Sequence, residues 1–334
     1  MWHIGIDLHR RMLVMAAVKD DGEVVDPQRI DCQDTAAILA AVEDLKPFRA
    51  VIEATGTYRW LYDLLSPHGS VLLAHPLRLR AMIQRRAKTD KLDAQLLANL
   101  LRINQIPLAY VPRKNYQQLR DLTRCRARLA RGGAKAKINL RALLARQNLM
   151  APYKIPFGPR GLAWFRKQDF GPIENLVRDQ LLEQLEHYAK HAALLDRQIE
   201  QVGKDFPQIE ALLDIYGMGV FSALVVIGEL GEVERFRTAK QVGAYAGLTC
   251  RVYQSGSHCY HGSITHEGSA WLRWVLIQVA MHVVRDDVAL RNFYTRIRKR
   301  SSAKIARVAT ARKLAEICWK RLRRWHEQRG RRAA

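Results

Sequence analysis

The stretch "WHIGIDLHRRMLVMAAVKDDGEVVDPQRI", residues 2–30, decides how the first third of the chain folds. It holds three apolar runs, and short polar segments separate each run from the next. Between the second and third runs stands Asp21-Gly22, a pair that favours a tight turn between antiparallel strands. The stretch therefore predicts three consecutive β-strands.

Helical and strand patterns alternate after this opening. "TAAILAAVEDL" (35–45) has the spacing of a helix, and "RAVIEA" (49–54) and "SVLLAHP" (70–76) are short apolar strands. From Arg78 to about Arg102, leucines fall on one side of a further helix. A hairpin followed by alternating helices and strands is typical of a mixed α/β sheet, so we predict one α/β domain over residues 1–110.

The charge of the chain indicates a polyanionic partner. Lys and Arg number 55 against 32 acidic residues, which gives a net charge of +23. Segment 113–150 concentrates this excess, with eleven cations and one acid, Asp121. We interpret it as a helical surface that follows a phosphate backbone. The cations selected as nucleic-acid contacts are Arg120, Arg124, Arg128, Lys135, Lys137 and Arg141.

A heptad pattern follows at 174–205, and it predicts a coiled coil or a long helical hairpin. The apolar positions step by four and three: Leu181, Leu185, Tyr188, Ala192, Leu195, Ile199 and Val202. The partner helix lies either in the same chain or in a second subunit, and the pattern leaves both open. We therefore predict a basic helical and coiled-coil region over 111–205 and a mainly helical domain over 206–334.

The compartment follows from cysteine usage and from the apolar runs. The five cysteines are dispersed without a C-x-x-C pair, which favours a reducing cytoplasm. Met1 leads straight into the first strand, so no signal peptide is expected. The longest apolar run, 274–284, contains Gln278 and His282 and is too short to span a bilayer. We expect a cytoplasmic, nucleoid-associated protein with a buried helix here and no membrane partner.

Four acidic residues stand where functional groups collect in α/β sheets. Asp7 and Glu53 close two predicted strands, while Asp90 and Asp93 lie one helical turn apart. If the four carboxylates converge, divalent cations must balance their charge, and Mg²⁺ (or Mn²⁺) suits oxygen ligands and phosphate chemistry. Each acid also has a plain explanation, since Asp90 and Asp93 could simply favour a helix start capped by Thr89. Their order along the chain favours the metal site.

Three motifs carry a resemblance to a known family. "IGIDLHR" (4–10), "IEATGTY" (52–58) and "KTDKLDAQLLANLL" (88–101) together closely resemble the amino-terminal domain of IS110-type transposases. The resemblance implies a RuvC-like variant of the ribonuclease H fold, whose acidic tetrad falls on Asp7, Glu53, Asp90 and Asp93. It extends over nearly the whole chain.

The same resemblance gives the carboxy-terminal half its candidate residues. Gly217-Met218-Gly219 stands at a helix start, where backbone N–H groups could bind phosphate, and the family has a similar glycine-rich hairpin there. The pattern Ser255-Gly256-Ser257 is by itself only a loop, but in the family the first serine of such a motif is the nucleophile. The residues that stay in step with the family pattern are Gly262, Gly268, Leu272 and Arg273, and we expect Arg273, like Gly217 and Gly219, to contact nucleic acid.

This half also departs from the family pattern. Cys250 stands where proline is usual, and Ser263 and His266 replace basic residues, which puts phosphate contacts there in doubt. The spacing of His258, Cys259, His261 and His266 fits no usual structural zinc pattern, so we prefer a phosphate contact by His258 or His261.

The resemblance implies a DNA transposase or recombinase of an insertion sequence, with a serine nucleophile, Ser255, and Mg²⁺ held by the four acids. It further implies donor and target DNA, a structured non-coding bridge RNA, and a homo-oligomer (dimer or tetramer) whose active site joins two subunits. Two alternatives stay open from the residues: a RuvC-like, structure-specific nuclease that uses water, and a non-catalytic nucleic-acid-binding protein.

Overall fold

The chain divides into two compact units, Met1–Val111 and Pro112–Ala334. The computed structural model describes residues 1–82, 89–255 and 258–333. The first unit corresponds to the α/β region expected at 1–110. The two regions expected at 111–205 and 206–334 fall together in the second unit, where Tyr116, Leu119 and Ile199 share one core with the carboxy-terminal helices.

The first unit is built on a mixed sheet. Its strands are β1 (Trp2–Leu8), β2 (Met12–Lys19), β3 (Val24–Asp31), β4 (Phe48–Glu53), β5 (Ser70–Ala74) and β6 (Leu108–Ala109). Their order across the sheet is β3-β2-β1-β4-β5-β6. β1, β2 and β3 form the antiparallel meander that the opening stretch predicts, and β4 and β5 continue the sheet parallel to β1. The predicted α/β sheet is confirmed.

Alternation along β1 and β4 divides their side chains between two faces. Ile4, Ile6 and Leu8 of β1 lie on one face with Ala50 and Ile52 of β4, in the larger core of this unit. Helices α1 (Thr35–Glu43) and α2 (Arg59–Leu65) cover that face through Ile38, Val42, Leu61 and Leu65. The opposite face carries Gly5, Asp7, Val51 and Glu53.

Helix α4 (Asp90–Arg102) packs on this opposite face, where Leu97 and Leu101 contact a small core that contains Val51. The preceding helix, α3 (Pro76–Met82), adds Leu79 to the same cluster. The helix predicted from Arg78 to Arg102 also includes residues 83–88, which lie outside the described residues. Thr89 caps α4, because its hydroxyl accepts a hydrogen bond of 3.3 Å from the Leu92 N–H.

The second unit is mainly helical, as predicted. Its helices are α5 (Lys114–Arg146), α6 (Pro159–Lys167), α7 (Pro172–Gly203), α8 (Glu210–Leu213), α9 (Val220–Leu230), α10 (Ala239–Tyr245), α11 (Ala270–Asp286), α12 (Val288–Arg300) and α13 (Ala303–Ala333). One two-stranded hairpin, β7 (Cys250–Ser255) and β8 (His258–Ile264), stands between α10 and α11. The apolar run 274–284 lies in α11 with Val275, Leu276, Val279, Ala280 and Val283 buried, which confirms the buried helix.

Helices α5 and α7 form a long antiparallel hairpin within the chain. Near its base the Arg126 guanidinium pairs with Asp196, and farther along Leu140 and Leu143 share a core cluster with Leu182 and Leu185. The heptad pattern of α7 therefore has a partner in the same chain, α5.

The glycine pair inside α5, Gly132-Gly133, does not interrupt the helix. A Cβ on Gly132 would lie 2.6 Å from the Tyr188 ring of α7. The glycine is therefore used for the close approach of two helices, and the intrahelical hydrogen bonds of α5 continue through it.

No helix in the described part of the chain combines the length and apolar composition that crossing a bilayer requires.

All five cysteines are free thiols, and burial raises the pKa of Cys318 to about 12.

Candidate active site

Gly5 sets the distance between α4 and the sheet. A Cβ at this position would lie 2.1 Å from the Ala94 carbonyl oxygen and 2.4 Å from the Ala98 nitrogen. The helix backbone therefore rests directly on β1, and Ala94 is itself fully buried against Val14 and Ala16 of β2. Asp7 lies two residues beyond Gly5 on the same face, so the first turn of α4 is brought to the end of β1.

Asp7, His9 and Asp90 form the centre of the candidate site. The His9 Nε2 atom lies 3.1 Å from Asp7 Oδ2 and 3.3 Å from Asp90 Oδ1. One potential ligand atom from each of the three residues lies within 4.8 Å of the other two. Among the described residues, these three side chains form a cluster that could hold a metal ion. Asp7 is mostly buried, with a side-chain exposure of 17%, whereas Asp90 is half exposed.

The electrostatics of Asp7 show that negative charge is concentrated here. Burial raises the pKa of the Asp7 carboxyl, and the charges of Asp90 and Asp93 raise it further, against the lowering effect of His9. Asp93 therefore lies close enough to repel Asp7, although it is outside the group within 4.8 Å. A cation between these side chains would relieve the repulsion and offset the cost of burying the Asp7 charge.

Glu53 reaches the same edge of the sheet through strand register. Ile6 pairs with Ile52 in the parallel β1–β4 ladder, so Asp7 and Glu53 follow at the same level and on the same face. Glu53 is partly buried, and it is not a member of the three-residue group. The fold thus brings Asp7 together with Asp90, places Asp93 within electrostatic range, and aligns Glu53 at the neighbouring strand end.

The donor set fits a divalent metal ion. Carboxylate oxygens are the ligands that Mg²⁺ and Mn²⁺ take in proteins, and a neutral imidazole is a common ligand of transition metals. The sequence interpretation missed His9. Its only signal is a position two residues after the strand-ending aspartate, and no spacing rule distinguishes such a histidine from an ordinary turn residue.

The candidate nucleophile lies at the end of a β-hairpin. Ser255 is the last residue of β7, is exposed, and pairs in register with His258 of β8. The neighbouring Tyr253 and Tyr260 rings stack across the hairpin with centroids 4.8 Å apart, which stiffens the strands next to the serine. Gly256, Ser257 and the side chain of His261 lie outside the described residues.

The glycine-rich turn precedes α9, as predicted, and its two glycines differ in role. Gly217 has φ +79°, and a Cβ there would lie 2.4 Å from the Cβ of His282, so it is required for backbone conformation and packing. Gly219 is the N-cap of α9, and a Cβ added there would meet no atom within 4 Å. Only Gly219 faces open space at the positive end of the helix.

Arg273 binds the backbone of the segment between α10 and the hairpin. Its guanidinium is partly buried and donates a hydrogen bond of 3.1 Å to the Ala246 carbonyl oxygen. A Cβ on Gly247 would lie 2.3 Å from Arg273 Nη1, and Gly247 itself has φ +64°. The Arg273 side chain, a predicted nucleic-acid contact, is therefore engaged with the backbone of Ala246 and Gly247.

The predicted contact residues on α5 fall into two groups. Arg128, Lys135 and Arg141 are exposed and Lys137 is partly exposed, so these four can meet a polyanion. Arg128 also lies over the Trp271 ring, and Lys137 and Arg141 lie over Phe157. Basic and aromatic groups together are typical of a nucleic-acid surface.

Arg120 and Arg124 are placed differently and correct the sequence interpretation. Arg120 is 7% exposed and donates to the carbonyl oxygens of Gly228 and Glu229 at 2.6 and 2.9 Å. Arg124 forms a two-pronged ion pair with the Glu229 carboxylate, at 2.8 and 3.0 Å. Ser269, the N-cap of α11, donates to the same carboxylate. These arginines join α5, α9 and α11 in the core, where Arg120 is buried and Arg124, with 26% of its side chain exposed, is committed to Glu229.

Comparison with known proteins agrees with this arrangement. Residues 4–148, which include the carboxylates, match the family model of DEDD transposases of the IS110 type. Residues 209–295, which include the glycine-rich turn and Ser255, match the family model described as "Transposase IS116/IS110/IS902 family". The two matches follow one another in a single chain.

Three similar proteins extend the comparison over most of the sequence. A "Probable family 20 transposase" of Pseudomonas aeruginosa is 28% identical over 96% of both chains. The "Transposase for insertion sequence element IS1328" of Yersinia enterocolitica is 23% identical over 95% of both. A "Pilin gene-inverting protein" of Moraxella bovis is 27% identical over 80% of this chain and 78% of its own. With both family models matched in order and relatives aligned along nearly the full length, the chain belongs to the IS110 family of insertion-sequence transposases and is a DNA-recombining enzyme.

Proposed function

We propose that this transposase cuts and rejoins DNA through a covalent phosphoserine at Ser255, with a divalent metal ion held by Asp7, Glu53, Asp90 and Asp93 in a RuvC-like domain. The single observation that carries the proposal is the cluster of Asp7, His9 and Asp90 inside the segment that matches DEDD transposases. An exposed serine inside the second family match supplies the nucleophile.

The chemistry requires the serine and the acids to act on one phosphate. Ser255 Oγ forms a bond to phosphorus as the bond to one deoxyribose oxygen breaks; the serine proton passes to solvent, and the departing oxygen ends as a hydroxyl. A divalent ion, when bound, withdraws charge from the reacting phosphate and stabilises the departing oxygen. In rejoining, a hydroxyl of another strand displaces Ser255 and restores the phosphodiester. No ATP is required, in keeping with a sequence that lacks a G-x-x-x-x-G-K-[ST] loop.

Rejoining is supported by the name of one relative. The Moraxella bovis protein is named for inverting a pilin gene, and inversion requires strands to be cut and then resealed in a new order. A nuclease that uses water would leave free ends. We extend the proposal to donor and target DNA, a structured RNA encoded by the element, and a homo-oligomer as the acting form.

The test is the covalent intermediate. The wild-type protein, supplied with Mg²⁺, element-end DNA and the flanking non-coding RNA, is expected to give a protein–DNA adduct that survives denaturing electrophoresis. Ser255→Ala is expected to give none, because the attacking oxygen is gone. Ser263→Ala is the matched control, since Ser263 is an exposed serine of the same hairpin, and it should form the adduct as the wild type does.

Three outcomes count against the proposal. An adduct that persists in Ser255→Ala removes the serine assignment, and free ends without any adduct in the wild type favour a water-using nuclease. Equal yields with and without RNA contradict RNA guidance while leaving the rest in place.

A further inference from the structure

His9 is fixed in the turn that joins β1 to β2. Its backbone N–H donates a hydrogen bond of 3.0 Å to the Met12 carbonyl oxygen, and the His9 carbonyl oxygen accepts a hydrogen bond of 3.5 Å from the Cys32 thiol. The imidazole therefore leaves a defined backbone position at the strand end that bears Asp7. The backbone position of His9 is therefore set by the fold, and its side chain is half exposed.

The His9 ring presents one nitrogen to two carboxylates. Nε2 lies 3.1 Å from Asp7 Oδ2 and 3.3 Å from Asp90 Oδ1. A single N–H cannot align with both acceptors at once, so a hydrogen-bonding explanation leaves at least one bent contact. Side chains that share one metal ion must bring their ligand atoms close together, and Asp7, His9 and Asp90 each offer one such atom within 4.8 Å of the other two.

We propose that His9 is a protein ligand of the metal ion held by Asp7 and Asp90, which gives the centre a mixed nitrogen and oxygen donor set. The inference rests on the metal centre in the proposed function and adds to it the identity of a ligand and a metal preference. Mg²⁺ strongly prefers oxygen, whereas first-row transition ions accept imidazole readily. The centre therefore selects Mn²⁺ over Mg²⁺ more strongly than its carboxylates alone would.

The experiment uses Mn²⁺ alone, with the full chain and without DNA. Titration followed by the electron paramagnetic resonance signal of free Mn²⁺ gives the dissociation constant, and competition with Mg²⁺ gives the preference. Pulsed measurements on the bound ion detect a nitrogen nucleus in its coordination shell. The variants are His9→Ala, which removes the ligand, and His9→Gln, whose amide reaches about as far as Nε2 but offers an oxygen.

The control is His68→Ala. His68 precedes Ser70 at the amino end of β5, so it lies at the edge of the sheet opposite the carboxylates. Circular dichroism spectra and melting curves in chelator establish that each variant is folded.

The expected result is a nitrogen coupling in the wild type and in His68→Ala that both His9 variants lack. We expect Mn²⁺ affinity to fall about 10-fold or more in His9→Ala, and the ratio of Mn²⁺ to Mg²⁺ affinity to fall with it. A wild-type complex without nitrogen coupling, or a coupling that persists in His9→Ala, overturns the assignment of His9 while the metal centre stands. A folded wild-type protein that binds no Mn²⁺ overturns the metal centre itself.

Discussion

Asp7 is the residue at which the demands of folding and of function conflict. Its carboxylate is mostly buried, faces Asp90 and lies within electrostatic range of Asp93, and its pKa is raised as a result. Ionised Asp7 therefore costs folding free energy in the metal-free protein, which a bound cation would recover. Such an electrostatic cost is expected at a site that has been selected for binding a ligand and not for the stability of the fold.

We predict that Asp7→Asn melts at a higher temperature than the wild type in chelator at neutral pH. The pKa of Asp7 is higher in the folded state than in the unfolded state, where it is near 3.9. The free-energy cost of burying ionised Asp7 is therefore absent when the pH is below the unfolded-state pKa. It is present in full when the pH is above the folded-state pKa. Removing the charge should raise Tm on the order of a few degrees. In saturating Mn²⁺ the order should reverse, because the wild type gains binding energy that the variant cannot gain.

The control for this prediction is Asp26→Asn, since Asp26 is exposed on the edge strand β3. It should melt as the wild type does in both conditions. A lower Tm for Asp7→Asn in chelator would contradict the sign of the raised pKa. Metal affinity of the wild type should also increase as the pH rises through the pKa of Asp7, which titrations at several pH values can measure.

At the scale of the element, the contact between α4 and β1 carries the site. The two explanations offered for Asp90 and Asp93 prove compatible: Thr89 caps the helix, both acids lie in its first turn, and that turn faces Asp7. The position of the turn depends on the absence of a side chain at Gly5.

We predict that Gly5→Ala displaces α4 and weakens both folding and metal binding. The added Cβ would lie 2.1 Å from a backbone oxygen and 2.4 Å from a backbone nitrogen, and neither can move without the helix. Overpacking of this kind costs about 1–3 kcal/mol. Urea denaturation measures the loss of stability, and the Mn²⁺ titration measures the loss of the site.

Gly56→Ala is the matched control, because a Cβ there meets nothing within 4 Å. Its stability should stay within about 0.5 kcal/mol of the wild type. If Gly5→Ala behaves like Gly56→Ala, the close approach of α4 is not what positions the acids.

The elements also show what a sequence can predict. Alternation and turn residues suffice for β1 to β5, and helical spacing suffices for α4, α7 and α11, because each signal is local. The position of His9 two residues after Asp7 is not a distinctive local signal, since its proposed role depends on Asp90, which lies far along the chain. Arg120 and Arg124 appeared to be surface cations for the same reason: their partners, on Gly228 and Glu229, are more than a hundred residues away.

At the scale of the whole molecule, the net charge of +23 governs encounter with DNA. Part of the cationic total serves the core of the second unit, as Arg120 and Arg124 do, and the exposed remainder is available to phosphates. The Trp271 and Phe157 rings hold Arg128 and Arg141 through cation–π contacts, which positions part of this charge along α5.

We predict a steep salt dependence of DNA binding. If about six to ten phosphates are contacted, affinity should fall roughly 10³- to 10⁵-fold between 50 and 200 mM salt. Fluorescence anisotropy with a labelled duplex measures the slope of log K against log [salt]. Lys135→Ala should reduce that slope by about one, and affinity that is insensitive to salt would contradict a phosphate-following surface.

The continuous α5 has a mechanical consequence. Its 33 residues form a rod about 50 Å long, with Tyr116 and Leu119 anchored in the main core of the unit and Leu140 and Leu143 in a separate cluster. Such a rod acts as a lever, because a tilt of about 6° at the anchored end carries the far cluster, about 36 Å away, through about 4 Å. Because Gly132 packs closely against Tyr188, α5 and α7 would move together as one rigid hairpin. A force applied at the end of the hairpin near Arg146 would then be transmitted to the contact between Arg120 and Glu229.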